Sequence, residues 1–278
     1  MKRTLSVFLC LSLLFGCLMT VSCSPTDESS VQTGLDPNKK MIAFTFDDGP
    51  HAPAEDLEEG FYPYTTYILD KLEATGARAS FFMLGSRAKS YPAAVRRAVS
   101  LGCDIGCHTY DHETSYRGLD NEDIRADLEK TAAAIASTGV KSPVLFRPLG
   151  GSINESQLEF IASLGFSTIG WSIDTRDYDY YGGRPKAGDK FSDDPARVEK
   201  YNAFVEEKVE LIVSQAHDGA IVLMHDIYMS SVDIFIAAAD RLIAEGYQLV
   251  TVSELLSLSG DARPVMHLSK GQTITYMP

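Results

Sequence analysis

The chain has 278 residues, the length of one large domain, and 45% of them are hydrophobic, which excludes an intrinsically disordered protein. Its 25 Lys and Arg residues against 38 Asp and Glu residues give a formal net charge of −13. Because nucleic-acid binding generally requires a basic surface, we expect neither DNA nor RNA as a partner.

The first 22 residues have the pattern of a secretory signal peptide of the lipoprotein type. Two basic residues precede an uncharged, mostly apolar run over residues 5–22, and the junction of Ser22 with Cys23 resembles a bacterial lipoprotein cleavage site. Cleavage there would leave Cys23 for lipidation and residues 23–40 as a polar tether. The pattern predicts an exported cell-envelope lipoprotein, membrane-anchored on the periplasmic side or at the cell surface. An uncleaved anchor and a simple secreted protein are the alternatives.

From residue 41 onward, short apolar runs alternate with segments of helical periodicity, which is typical of repeated βα units. A glycine precedes most of the predicted strands, at a position where helices often end in the left-handed conformation. Asp120 and Asn154 are predicted to cap the N-termini of two of the helices. The predicted strands are residues 41–46, 79–84, 104–107, 144–146, 167–171, 220–224 and 248–251.

About seven βα units without a break in composition predict one domain over residues 41–260, with a parallel sheet closed or nearly closed into a barrel. A doubly wound open sheet is the alternative fold. Both architectures place ligand chemistry at the carboxyl ends of the strands. Residues 261–278 form a C-terminal extension whose role the sequence does not indicate.

Titratable residues are concentrated just after the predicted strands. The pair Asp47 and Asp48 follows the first strand, and His108 and His112 follow the third. One aspartate and two histidines are a common ligand set for zinc or a similar divalent ion, and histidines four residues apart could meet one ion on a helical turn. Later strands are followed by Arg147, Asp177 and His225. This concentration on one rim predicts a catalytic site there.

Five segments, in chain order, resemble the motifs of the polysaccharide deacetylases, the NodB-homology or carbohydrate esterase 4 family. The segments are TFDDGP (45–50), HTYDH (108–112), FRP (146–148), WSIDTRD (171–177) and IVLMHD (221–226). The likeness extends over roughly residues 41–258. It implies an α/β fold with a single distorted (β/α) barrel of about seven parallel strands. It also implies an enzyme that removes N- or O-acetyl groups from sugars with one divalent metal ion, usually zinc or cobalt.

The resemblance implies a role for each residue that matches a motif. Asp48, His108 and His112 would bind the metal ion. Asp47 would be the general base and His225 the general acid, so that the two neighbouring aspartates have separate roles.

Further roles follow from the same resemblance. Arg147 would orient Asp47, and Asp177 would orient His225. The family usually has Tyr at the position of Gly150 and Trp at that of Tyr178, so the backbone N–H of Gly150 can still face an oxyanion while a side-chain wall is missing. The predicted substrate-binding residues are Leu223, which would line the acetyl pocket, Gly150, Trp171 and Tyr178.

The sequence thus predicts a metal-dependent deacetylase of cell-envelope polysaccharide, acting on N-acetylglucosamine of peptidoglycan. An O-acetyl polysaccharide esterase or a small-substrate amidase is the alternative enzyme, and a non-catalytic glycan-binding lipoprotein is the second alternative. The intact set of acidic and histidine residues argues against the last, because binding alone needs no base opposite an acid. The segments 51–63 and 178–194 follow strands on the same rim and carry aromatic residues, so each is either a sugar-binding lid or a solvated loop.

Overall fold

The computed structural model describes residues 34–51, 63–113, 115–180, 194–258, 263–265 and 275–277. The chain separates into two units at Leu35, and the fold below belongs to the second, Asp36–Pro278. The predicted signal peptide, Cys23 and most of the two rim loops lie outside the described residues. Within the predicted tether, the Asp36 N–H donates to Gln248 Oε1 at 2.8 Å, and Gln248 Nε2 donates to the Asp36 carbonyl at 2.7 Å. The described unit therefore begins five residues before the predicted domain boundary.

A parallel sheet forms the centre of the fold. Its strands are β1 (Met41–Asp47), β2 (Ser80–Met83), β3 (Asp104–Cys107), β4 (Leu145–Phe146), β5 (Ser167–Thr168), β6 (Ile173–Asp174), β7 (Ala220–His225) and β8 (Gln248–Leu249). The spatial order is β5-β4-β3-β2-β1-β7-β6, and β8 pairs with the beginning of β1. All seven residues of β1 are buried, as expected for a parallel sheet covered on both faces. The predicted distorted (β/α) barrel of about seven parallel strands is confirmed.

Eight helices connect the strands within the described residues. They are α1 (Tyr64–Thr75), α2 (Gly85–Ser90), α3 (Pro92–Ser100), α4 (Asn121–Ala136), α5 (Glu155–Ser163), α6 (Pro195–Gln215), α7 (Met229–Ala244) and α8 (Val252–Leu258). Short 3-10 turns span Tyr116–Gly118, Leu149–Gly151 and Asp177–Asp179. An antiparallel pair, β9 (Arg263–Val265) and β10 (Thr275–Met277), lies in the C-terminal extension. None of the described helices is long and apolar enough to cross a membrane.

The predicted helix ends explain how successive strands reach the same rim. The Asp120 side chain accepts the backbone N–H groups of Glu122 and Asp123, and Asn154 forms a reciprocal capping box with Gln157. The glycines that precede the strands have positive φ, which reverses the chain from a helix into the next strand. They are Gly76, Gly102, Gly139, Gly165 and Gly246.

The predicted fifth strand, residues 167–171, is wrong in its extent. β5 ends at Thr168, and the chain then crosses to β6 on the other edge of the sheet. The carbonyl groups of Ile169 and Gly170 accept hydrogen bonds from the Arg147 side chain, at 3.1 and 2.9 Å. A buried arginine thus holds the start of the segment that leads from β5 to β6, the two edge strands of the described sheet.

The core next to β1 consists of aromatic side chains. The ring of Phe235 on α7 packs edge-on against Phe44 and Phe46, with centroids 5.1 and 5.2 Å apart. Because side chains alternate along a strand, Thr45 and Asp47 point to the opposite face, toward the interior of the barrel. The helix layer therefore fixes the strand that presents Asp47.

Candidate active site

The carboxyl ends of β1, β3, β4 and β7 meet at one rim of the sheet. β1 ends at Asp47 and β7 ends at His225, and these two residues are aligned partners in the pairing of the two strands. β3 and β4 are paired at their last residues, so the residues that follow, His108 and Arg147, leave the sheet side by side. The structure therefore brings together side chains that are separated widely in the sequence.

Arg147 is fully buried and forms an ion pair with Asp47, with 2.9 Å between Nη1 and Oδ1. The same nitrogen donates to Thr45 Oγ1 at 2.6 Å. Burial lowers the pKa of Arg147 from its ordinary value, and the charge of Asp47 opposes that shift. Because arginine stays charged in proteins, it holds one oxygen of Asp47 in place and leaves the other facing the site.

Asp48, His108 and His112 place three potential metal-ligand atoms within 4.8 Å of one another. Asp48 Oδ1 lies 3.4 Å from His108 Nε2 and 3.3 Å from His112 Nε2. The suggestion that the histidines share a helical turn is wrong, because both lie in the loop after β3. Asp48 and His112 have left-handed φ values of 74° and 69°, and the loops impose this conformation at some cost.

These three atoms fit a divalent cation. Asp48 Oδ1 is buried and has no hydrogen-bond partner among the described residues, although two imidazoles face it. His108 Nδ1 lies 2.6 Å from the carbonyl oxygen of Arg147, so Nδ1 carries the hydrogen and Nε2 presents a lone pair toward Asp48. Two ligand atoms bound tetrahedrally to one ion at about 2.1 Å lie about 3.4 Å apart, close to the observed spacing. Asp48, His108 and His112 could therefore hold one divalent ion.

His225 is held by the buried carboxylate of Asp177. The backbone N–H of His225 donates to Asp177 Oδ2 at 2.7 Å, and the ring nitrogen Nδ1 of His225 lies 2.8 Å from Asp177 Oδ1. Burial alone would lower the pKa of His225, but the charge and hydrogen bond of Asp177, with the charges of Asp47 and Asp48, raise it to about 9. The imidazole therefore favours its protonated form, with Nδ1–H directed at Asp177 and Nε2–H free to act elsewhere.

The predicted substrate-binding residues take different positions. Leu223 is buried on β7 beside Thr45 of β1, and Trp171 is 4% exposed with its ring 5.6 Å from the Arg147 guanidinium. Gly150 has a φ of 55°, and a Cβ added there would meet no described atom within 4 Å. The ring of Tyr178 is half-buried and lies edge-on to His225, with centroids 5.4 Å apart.

Three supporting residues were given no role by the sequence analysis. Asp226, next to His225, is fully buried, and burial raises its pKa to about 7, opposed by the hydrogen bond from Thr65. Thr65 donates to Asp226 Oδ2 at 2.5 Å and accepts the His51 N–H at 2.7 Å, so it ties the chain after Asp48 to the end of β7. Ser231 on α7 donates to Asp177 Oδ2. Asp226 is the last residue of the motif IVLMHD, whereas no local pattern could have indicated Thr65 or Ser231.

Comparison with known proteins gives a consistent result. The family described as Polysaccharide deacetylase matches residues 34–169. The peptidoglycan-N-acetylmuramic acid deacetylase PdaC of Bacillus subtilis is 33% identical over 221 residues, which are 80% of this chain and 40% of that protein. A peptidoglycan-N-acetylglucosamine deacetylase of Bacillus cereus is 34% identical over 225 residues, 79% of this chain and 89% of that protein.

The solved structure of peptidoglycan deacetylase PdaC from Bacillus subtilis has the same fold. It superposes with a TM-score of 0.64 at 30% sequence identity, covering 81% of this chain and 94% of that chain. This chain spans about two fifths of the full PdaC sequence, whereas it covers most of the Bacillus cereus relative. The predicted resemblance is confirmed, and the chain belongs to the polysaccharide deacetylase family.

Proposed function

We propose that this protein is a metal-dependent deacetylase that hydrolyses N-acetyl groups of cell-envelope polysaccharide, with N-acetylglucosamine of peptidoglycan as its substrate. The observation that carries the proposal is the pairing of Asp47 with His225 beside the cluster of Asp48, His108 and His112. A carboxylate and a protonated imidazole at adjacent strand ends supply a base and an acid to one reacting centre. Binding alone would not need both.

The ion expected at Asp48, His108 and His112 is zinc, with cobalt or another divalent ion as the alternative. The ligand chemistry and the 3.3 and 3.4 Å spacings of the three atoms support this choice. A divalent ion bound there would polarise the acetyl carbonyl and lower the pKa of a water molecule.

Asp47 is the proposed general base. Its Oδ1 is engaged by Arg147, whereas its Oδ2 faces the site, 3.8 Å from His108 Nε2. Oδ2 is therefore the atom that takes the proton from the attacking water. Arg147 acts as a positioning residue, because its four hydrogen bonds and complete burial allow the carboxylate one orientation.

His225 is the proposed general acid. Its Nδ1 is occupied by Asp177, so Nε2 is the atom that gives a proton to the departing sugar amine. The charges and hydrogen bond that raise the pKa of His225 favour the form of the imidazole that carries this proton. Asp177 is the positioning residue for this step, and Leu223 and the Gly150 N–H are the proposed contacts of the acetyl group.

The choice of peptidoglycan rests on the named activities of relatives that share 33 and 34% identity with this chain. It is tested by incubating the metal-loaded protein with N-acetylglucosamine oligomers, peptidoglycan fragments and acetylxylan, followed by mass spectrometry. Loss of acetyl groups from the first two substrates supports the proposal. Activity on acetylxylan alone would replace it with an O-acetyl esterase, and no activity on any glycan would refute it.

We further propose that the protein is an exported lipoprotein of the cell envelope, anchored to the membrane by lipid on Cys23. The basic residues, the apolar run and the Ser22–Cys23 junction support this location. Intact-mass measurement of the protein from its native membrane tests the proposal. Wild-type protein should begin at a lipidated Cys23, and Cys23→Ala should carry no lipid. An unmodified Cys23, or a retained Met1, would overturn it.

A further inference from the structure

Tyr228 lies at the mouth of the site without an assigned role. It occupies the short loop between His225, which ends β7, and Met229, which begins α7. Its ring centroid is 6.1 Å from that of His225, and the two rings are inclined by 68°. The aromatic side chain is therefore a direct neighbour of the proposed general acid.

The exposure of Tyr228 is unusual among the aromatic residues whose burial the structure describes. It is 38% exposed, and the other tyrosine, phenylalanine and tryptophan side chains between residues 41 and 247 whose burial the structure describes are buried or half-buried. Its two flanking anchors, Asp226 and Met229, are buried, so the backbone that presents the ring is fixed. A fixed backbone lowers the entropy lost when a ligand contacts the side chain. The ring is thus exposed and preorganised.

Tyr228 lies close enough to the charged residues of the site to be affected by them. Partial burial raises its pKa, and the negative charges of Asp48 and Asp177 raise it further. Asp48 belongs to the candidate metal cluster and Asp177 holds His225. The ring of Tyr228 therefore borders the space in front of His225 and lies near Asp48.

The chemistry of the proposed reaction requires a sugar ring close to this position. A general acid must come within about 3 Å of the nitrogen that it protonates. In an N-acetylated sugar that nitrogen is bonded directly to a ring carbon, so the pyranose lies within about 5 Å of His225 Nε2. Tyrosine rings suit the apolar faces of sugar rings and keep a polar hydroxyl at one end.

Resting on the proposed function, we propose that Tyr228 is a substrate-binding residue whose ring supports the pyranose that loses its acetyl group. Tyr178, edge-on to His225 at 5.4 Å, forms a second aromatic border of the same space. Tyr228 then selects acetyl groups carried on a sugar over acetyl groups carried on small molecules that offer no pyranose face.

The test compares Tyr228→Ala, Tyr228→Phe and a control, Ile243→Ala. Ile243 lies near the other end of α7 and is similarly exposed, at 37%. KM and kcat are measured with an N-acetylglucosamine tetramer and with 4-nitrophenyl acetate.

Tyr228→Ala should raise KM for the tetramer about tenfold with a smaller change in kcat, because one aromatic contact is worth about that factor. The ratio of kcat/KM for the tetramer to that for the ester should fall, whereas Tyr228→Phe should restore KM and Ile243→Ala should resemble wild type.

Tetramer binding is also measured by calorimetry in an Asp47→Asn background, with and without Tyr228→Ala, so that turnover does not interfere. An unchanged KM in Tyr228→Ala would overturn the role of Tyr228. So would equal tetramer dissociation constants for Asp47→Asn and for the double variant Asp47→Asn, Tyr228→Ala. Failure of wild-type protein to deacetylate the tetramer, peptidoglycan fragments or any other glycan would instead refute the proposed function, and the binding comparison would still decide the role of Tyr228.

Discussion

Asp47 and His225 are aligned residues on two neighbouring parallel strands, and each forms an ion pair with its own buried, oppositely charged partner. Arg147 contacts Asp47 at 2.9 Å, and Asp177 contacts His225 at 2.8 Å. Strand register sets the spacing of the pair, while the two partners set the direction of each side chain. A base and an acid held in this way can act on opposite ends of one bond without moving between steps.

Asp47 and Asp48 are adjacent, yet their substitution should have different consequences. Asp47→Asn removes the proposed proton acceptor and should lower kcat by about 10² or more, while metal content stays near that of wild type. Asp48→Asn removes a proposed ligand and should lower both activity and metal content. Steady-state kinetics and elemental analysis of the same preparations measure both effects. Equal metal loss in the two variants would contradict the separate roles.

The pH dependence of kcat/KM should be bell-shaped, with the basic limb set by His225. Its pKa is raised from 6.5 to about 9 by Asp177, Asp47 and Asp48, and a bound cation would offset part of this shift. The basic limb should therefore fall between these two values. Asp177→Asn removes the charge that favours the imidazolium, whereas burial of His225 remains. The pKa then falls, the acid loses its proton at a lower pH, and the basic limb moves downward.

Ser231→Ala is the matched control for Asp177→Asn. It removes one neutral hydrogen bond to Asp177 but leaves the carboxylate charge in place, so the basic limb should move less. Thermal unfolding of both variants shows whether each is folded at the pH of the assay. If Asp177→Asn left the basic limb in place, or moved it upward, His225 would not be the group that titrates there.

The barrel and the rim residues were predictable because their signals are local. Alternating periodicity and helix-ending glycines define βα units, and parallel βα units bring strand ends such as Asp47 and His225 to one rim. The end of the fifth strand was not predictable in this way. β5 stops at Thr168, and the carbonyl groups of the next two residues accept hydrogen bonds from the Arg147 side chain, a contact that no local pattern encodes.

The supporting contacts around the site were also outside the reach of sequence reasoning. Ser231 meets Asp177 from 54 residues away, and Thr65 meets Asp226 from 161 residues away. Serine and threonine are common on helices, so the residue type alone does not predict which carboxylate the hydroxyl group contacts. Tertiary packing alone selects which hydroxyl reaches which carboxylate.

Metal content should depend on both histidines that follow β3. Chelation should abolish activity reversibly, and His112→Ala should lose most of the metal affinity. His108→Ala should also lose metal, because it removes a proposed ligand. In the wild type, the hydrogen bond from His108 Nδ1 to the Arg147 carbonyl orients the Nε2 of this ligand. His217→Ala is the control, since His217 is exposed at the opposite end of β7. Full metal occupancy in a double His108→Ala, His112→Ala variant would exclude this cluster as the metal site.

Gly49 should be intolerant of any side chain, because its α-carbon packs against the buried carboxylate of Asp226. A Cβ at this position would lie 2.1 Å from Asp226 Oδ1 and 2.5 Å from Cγ, far inside van der Waals contact. Gly49→Ala should therefore lower the free energy of unfolding by about 3 kcal/mol or more. Since Gly49 follows Asp48, the shift should also displace a proposed metal ligand and reduce activity. Denaturant unfolding and metal analysis measure the two effects.

A double variant with changes at both Gly49 and Asp226 tests whether this clash is the cause of the lost stability. Asp226→Ala removes the three atoms that lie nearest to a Cβ at Gly49, so Gly49→Ala should cost less in that background than in wild type. Gly118→Ala should change the free energy of unfolding by less than about 0.5 kcal/mol, because a Cβ there meets no described atom within 4 Å and the residue lacks a positive φ. Equal costs of Gly49→Ala with and without Asp226 would show that the carboxylate is not what excludes a side chain. The backbone around Asp48 would then have to depend on another contact.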